Sequence, residues 1–269
     1  MKPREPAPPR GGFKLLRILF LLIILLIVAL GTWLDRYRST RWREPLYVSI
    51  YPIAADDSAV TGSYVAALDA DRFKPIDDFF KREAQRYRLQ AAAPIRTRLR
   101  DPLHTLPPQR APDAGWIATG WWSLRLRYWA WHVSGHVGEP EDIRIFVLFH
   151  DPALTPSVPH SLGLTKGLIG VVYAFAAPQM NGANDVVIAH ELLHTLGASD
   201  KYRAGDDAPR FPDGYGDPNQ VPLYPQRTAE IMAGRRMLSA ERWEQADSLE
   251  EAVIGPSTAL EIRWPQHAL

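Results

Sequence analysis

The spacing of apolar residues changes several times along this 269-residue chain, and each change marks an element. Leu46, Val48 and Ile50 alternate with Tyr47 and Ser49, which predicts a strand opening a folded domain. Ile76, Phe79, Phe80 and Tyr87 fall near one helical face, and Pro75 suits a first turn, so residues 75–89 read as an amphipathic helix. Residues 95–100 read as a second strand, and the Pro-rich piece at 106–112 as a loop. From Trp121 the chain alternates again, with Trp122, Leu124, Leu126 and Tyr128 against Ser123, Arg125, Arg127 and Trp129. That pattern predicts a strand whose aromatic side packs on the core and whose arginines meet solvent. Residues 143–149 and 167–176 are nearly continuous apolar runs, as expected of buried strands. A Gly/Pro/Asp-rich loop follows at 203–226, and residues 239–252 predict a C-terminal helix. Strands and helices interleave without a repeat, so the expected fold class is α+β with a mixed sheet.

The N-terminus has a different character. Residues 18–34 form an apolar run that would span about 26 Å as a helix, enough for a hydrocarbon core when flanking side chains snorkel. Lys14 and Arg17 precede it, while Trp33 and Tyr37 suit the opposite interface. The expected organisation is a basic cytoplasmic tail at 1–17, a transmembrane signal anchor at 18–34, a linker at 35–45 and a single domain at 46–269 outside the cytoplasm. In a bacterium that side is the periplasm. A cleavable signal peptide is the alternative, with Ala29-Leu30-Gly31 as a poor cleavage site.

Composition narrows the chemistry. A formal net charge of +1 argues against a nucleic-acid partner held by bulk electrostatics. With no cysteine, disulfides and thiolate metal ligands are excluded. Histidine and carboxylate remain as metal ligands. His190-Glu191-Leu192-Leu193-His194 places two imidazoles one turn apart on the same helical face, where one divalent ion can take both. Glu191, next to the first ligand, can reach a water at the ion without ligating it. With this composition the five-residue pattern arises by accident in about one such chain in a hundred. Asn184 or Asp185 suits the cap of this helix, and Gly197 suits the left-handed turn that ends it. Such a turn would bring Asp200 back over the metal as a third ligand.

The extended pattern His190-Glu191-x-x-His194-x-x-Gly197-x-x-Asp200 resembles the zinc signature of the metzincins, in the snapalysin-type variant with Asp in place of a third His. The resemblance covers roughly residues 143–237 and implies a zincin-like mixed sheet carrying an active-site helix. It further implies one Zn2+ ion, Glu191 as catalytic base and a methionine turn under the metal, for which Met232 in Ala229–Gly234 is the candidate. Glutamate-ligand zincins take their third ligand from a later helix, which makes Glu230 the alternative to Asp200. The strand before the active-site helix, residues 167–176, is implied to bind substrate backbone by β-addition.

The implied activity is hydrolysis of peptide bonds in a protein or peptide substrate, with the membrane engaged through the N-terminal helix. Tyr202 or Tyr215 is a candidate donor to the oxyanion. His132, His136, His150 and His160 read as loop or surface histidines, and Asp206, Asp207, Asp213 and Asp217 as solvated loop acids. Two other readings stay open: a zinc amidohydrolase acting on a cell-wall or other non-protein amide, and a non-catalytic binding protein with a structural zinc.

Overall fold

A parallel strand leaves neither of its faces to solvent, and this requirement organises the molecule. Strand β1 (Leu46–Ala54) pairs in parallel with β2 (Ile95–Leu99) on one side and β3 (Ile143–His150) on the other. Strand β3 pairs in parallel with β5 (Ile169–Phe175), and β4 (Leu162–Leu164) closes that edge antiparallel to β5. The strand order is β2-β1-β3-β5-β4. The fold is therefore α+β around a mixed sheet of four parallel strands and one antiparallel edge strand, as the interleaved pattern predicts.

The structure is a computed structural model that describes residues 16–20, 22, 23, 26, 42–111, 115–135, 141–158, 161–164 and 168–265. Most of the expected cytoplasmic tail, most of the expected membrane span at 18–34, the first part of the linker, and His136 and His160 lie outside the described residues. Residues 16–20, 22, 23 and 26 are helical, and no helix among the described residues is long and apolar enough to cross a membrane. Residues 39–269 form one unit.

Alternation within the strands sends side chains to two cores. On one face Val48, Ile50, Ile145, Val147 and Val172 meet helices α1 (Ala59–Ala66), α2 (Lys74–Arg86) and α4 (Asn181–Leu196), with Phe79, Phe80, Ile188 and Leu192 fully buried there. On the other face Tyr51, Phe146, Leu148 and Val171 meet helix α3 (Trp116–Val133) through Trp122, Leu126 and Ala130. Helix α2 starts with Pro at its first turn and buries Ile76, Phe79 and Phe80 together with the following Tyr87, as its sequence pattern requires.

Helix α3 is a correction, because its residues alternate like a strand. Positions 122, 126 and 130 fit a period of two and a near-helical period equally well, so a short window does not separate them. The fold decides in favour of the helix, since the second face of a parallel sheet needs a covering layer. Leu124 and Tyr128, which a strand would bury beside Leu126, are 57% and 67% exposed.

The expected helix at 239–252 is a second correction. A four-stranded sheet of order β8-β7-β6-β9 stands there instead, built from β6 (Ala229–Glu230), β7 (Arg235–Met237), β8 (Trp243–Gln245) and β9 (Ala252–Val253). Met237 pairs with Trp243, Arg236 pairs with Glu244, and Ala246, Leu249 and Ala252 enter the core. Tertiary pairing overrides a helix-favouring composition. Within 239–252 a single short 3-10 turn, Leu249–Glu251, is helical, and α5 (Pro256–Glu261) follows it. The loop at 203–226 packs on the body through buried Tyr215 and through Gln226, whose backbone amide donates to Met237 O at 2.8 Å, while the Gln226 side chain ties the loop to itself at Asp217 O and Leu223 O.

Truncation of the two leucines of α3 separates helix from strand. Leu126→Ala should cost about 2–5 kcal/mol in urea unfolding, while Leu124→Ala should stay within about 0.5 kcal/mol. Equal losses would restore the strand.

Candidate metal centre

Helix α4 begins at Asn181, earlier than Asn184 or Asp185, so neither residue caps it. Both side chains instead fix the helix to the sheet side. Asn184 exchanges two hydrogen bonds with the Phe175 backbone, donating to its carbonyl at 2.9 Å and accepting from its amide at 3.1 Å. Asp185 meets the Arg72 guanidinium at 2.7 Å. Burial pushes the Asp185 carboxyl up to about 6, opposed by the Arg72 charge. These contacts hold the helix in rotation and height, which sets where the His190 and His194 rings point.

The rings are fixed at their far nitrogens. His190 Nδ1 lies 3.0 Å from the Ile231 carbonyl oxygen, and His194 Nδ1 lies 2.8 Å from that of Ala198. A carbonyl oxygen only accepts, so each Nδ1 must carry a hydrogen, and in a neutral ring each Nε2 then presents a lone pair. Gly197 makes the second contact possible. At φ 105° it takes the left-handed conformation that ends the helix and turns Ala198 back under His194.

The same turn delivers Asp200. Its Oδ1 stands 3.2 Å from His190 Nε2 and 3.1 Å from His194 Nε2. Its neighbours are clamped on both sides. Ser199 bonds through its amide and hydroxyl to Glu261, the Lys201 amide donates to Met232 O at 3.0 Å, and Lys201 Nζ meets Glu261 at 2.7 Å. Burial pushes the Asp200 carboxyl up, but the two imidazoles overcome this and hold it well below the usual carboxylate range. For His194, burial pulls the imidazole down, and Asp200, Glu191 and the Ala198 carbonyl together more than offset it.

These separations suit a tetrahedral cation. Ligand distances of about 2.0–2.1 Å to zinc place neighbouring ligand atoms about 3.3 Å apart, close to the spacing of Asp200 Oδ1 from both rings. Asp200 Oδ1 is buried and takes no aligned hydrogen bond. Three electron-rich atoms turned towards one point favour a cation between them. The Glu191 carboxylate lies within 4.8 Å of the imidazole nitrogens too, so His190, Glu191 and His194 also form a group close enough to hold a metal ion. His190, His194 and Asp200 thus fit as a ligand set, with Glu191 beside them.

Glu230 is a correction to the alternative ligand set. It is fully buried, and its Oε2 accepts from the amides of Met232 at 2.6 Å and Ala233 at 3.1 Å. Its Oε1 accepts from the Gly255 amide at 3.1 Å and the Thr258 hydroxyl at 2.6 Å. Burial pushes this carboxyl up to about 7, against the pull of the Thr258, Gly255 and Met232 donors and the Lys201 charge. The carboxylate is thereby spent on shaping the turn at 231–234, where Met232 is fully buried and Ile231 supplies the carbonyl that orients His190.

A cleft of about 510 Å³ is lined by His190, His194, Asp200 and Glu191, with Tyr173, Tyr202 and Arg235 on its walls. Burial raises the Tyr202 phenol, and the Asp200 charge adds to the rise, so Tyr202 remains a donor. Tyr215 is placed elsewhere, its hydroxyl 2.9 Å from that of Tyr224. His150 stacks on the cleft-lining Tyr173 with ring centres 6.0 Å apart. Strand β5 is not an edge strand, contrary to the expected role of residues 167–176, because β4 covers it. Sequence reasoning missed Arg235, which stands between the Tyr202 and Trp243 rings at 5.2 and 4.8 Å and reaches Asp207 at 3.2 Å. The only sequence signal for it is a basic residue directly after Gly234. Comparison with known proteins gives no matching family model and no matching curated protein.

Two conservative variants separate ligand from scaffold. Asp200→Asn should weaken zinc binding by at least about tenfold with the fold intact. Glu230→Gln should keep one zinc per chain and lose about 1–3 kcal/mol of stability, because an amide opposes two buried donors. Metal analysis after dialysis and urea unfolding check both, and the opposite pattern would make Glu230 the ligand.

Proposed function

We propose that this chain is a metzincin-like zinc metallopeptidase, held to a membrane by its N-terminal segment with its catalytic domain outside the cytoplasm. One observation carries the reading. His190 Nε2, His194 Nε2 and Asp200 Oδ1 face one point at the floor of a cleft, with the Glu191 carboxylate beside them. A structural zinc is usually closed by four protein ligands, whereas three ligands and a neighbouring acid match the open catalytic arrangement.

Zinc bound there would supply Lewis-acid polarisation of a scissile carbonyl and would lower the pKa of a water towards neutrality. The remaining steps belong to side chains of this chain. Glu191, 5% exposed and lining the cleft, accepts the proton of the attacking water and passes it to the leaving amine. The Nδ1 contacts of His190 and His194 keep both rings in the tautomer that ligation needs. Tyr202 donates a hydrogen bond to the oxygen that gains charge. An extended peptide adds to the outer edge of β4, whose described pairing is with β5 alone, and Ser161 just before β4 lines the cleft. The basic tail at 1–17 and the apolar run at 18–34 support the anchored arrangement.

Glu191→Gln in the full chain tests the reading. It should retain zinc and lose casein or peptide cleavage by roughly 10²–10⁴-fold. Full cleavage by that variant would remove Glu191 as the base. Turnover of peptidoglycan fragments with no cleavage of peptides would move the activity to a non-protein amide.

A further inference from the structure

Helix α3 is apolar on two sides. Its inner stripe, Trp122, Leu126 and Ala130, is consumed by the sheet. Its outer stripe is Ile117, Trp121, Leu124, Tyr128 and Trp131, spaced four, three, four and three residues apart, and every member is more than half exposed. Trp116, at the first turn, is 85% exposed. The outward face of a helix on a soluble domain is ordinarily polar, and an apolar patch of this extent marks an interaction surface. Leu106 and Pro108 widen the stripe into a shallow groove beside Trp121 and Tyr128.

The charge pattern narrows the partner. No Asp or Glu occurs at 115–135, whereas Arg125 and His132 are exposed beside the aromatics. A second copy seated on this stripe would bring like charges together with no acid to answer them. Tryptophan and tyrosine have apolar bodies and polar tips, and they collect with arginine at the boundary between headgroups and acyl chains. We propose that the outer face of α3 lies in the interfacial layer of a bilayer carrying anionic headgroups. The length of chain before the folded unit agrees with this. In sequence, the apolar run at 18–34 precedes the folded unit by only a few residues. The metal-bearing helix α4 packs on the opposite face of the sheet, so contact through α3 leaves α4 on the far side from the lipid.

The proposal does not depend on the peptidase reading, and its test reads no activity. The chain contains no cysteine, so Leu124→Cys, Tyr128→Cys and Val221→Cys each give a unique site for a nitroxide label. Val221, 93% exposed, is the water-facing reference. The labelled full-length chain is placed in phosphatidylcholine vesicles with and without phosphatidylglycerol, and label access to oxygen and to an aqueous nickel chelate is compared. With phosphatidylglycerol present, labels at 124 and 128 should be several-fold better shielded from nickel, and several-fold more open to oxygen, than the label at 221. Arg125→Glu, or omission of phosphatidylglycerol, should reduce that shielding. Nickel access at 124 equal to that at 221 would overturn the proposal. Equal shielding on both lipids would overturn the anionic assignment. Shielding accompanied by dipolar broadening between labels would give the face to a second copy. All three labelled positions are exposed, and unchanged circular dichroism confirms that each variant is folded.

Discussion

Two backbone carbonyls decide what this molecule can do. Ile231 O and Ala198 O take the Nδ1 hydrogens of His190 and His194, and that fixes where both Nε2 atoms point. Neither carbonyl comes from the histidine helix itself. One is delivered by the left-handed turn at Gly197 and the other by the turn after β6. The Glu230 carboxylate holds that second turn, and through Gly255 and Thr258 it ties the turn to the start of α5. Helix α5 in turn presents Glu261 to Ser199 and Lys201 on either side of Asp200. A buried carboxylate far along the chain is therefore linked to His190 and to the neighbours of Asp200 through two short chains of hydrogen bonds.

How much of this was legible follows from the range of each signal. The histidine pair, Glu191, Gly197 and Asp200 lie within eleven positions, where helical spacing and one turn fix their relations, and the structure brings them together. Strands β3 and β5 were legible because a strand buried on both faces needs an uninterrupted apolar run, and β1 because its apolar residues alternate. Helix α3 was not, since residues 122, 126 and 130 satisfy two periods at once and the choice rests on what the sheet needs covered. The helix expected at 239–252 failed for the same kind of reason. Its composition favours a helix, but β7 and the buried positions Ala246, Leu249 and Ala252 hold it in another form.

Glu230 shows the limit in the sharpest form. As a residue type it is a competent zinc ligand, and its place beside Met232 suggests proximity to the metal. Its four donors come from Met232, Ala233, Gly255 and Thr258, two of them more than twenty positions away. No local pattern announces such a cage. A carboxylate with both oxygens doubly occupied has no lone pair left in good geometry for a cation, so the same feature that stabilises the turn excludes ligation.

The two faces of the sheet face different demands. The α4 face must carry polar groups into a mostly apolar interior, and it does so by pairing each with a partner: Asp185 with Arg72, Asn184 with the Phe175 backbone, Glu83 with Arg86. Unpaired, such groups would each cost on the order of several kcal/mol. The α3 face carries a smaller polar group at its edge, where Tyr51 donates to Glu141 at 2.7 Å and Arg100 donates to Ser49 at 3.0 Å, while Trp122, Leu126 and Ala130 meet apolar side chains. A layer needed only to cover the sheet could have ended in a polar outer surface, as most helices do. That α3 instead turns tryptophan, leucine and tyrosine outward is not explained by folding of the sheet. Covering the sheet accounts for one stripe of the helix, and the other requires an environment that water does not supply.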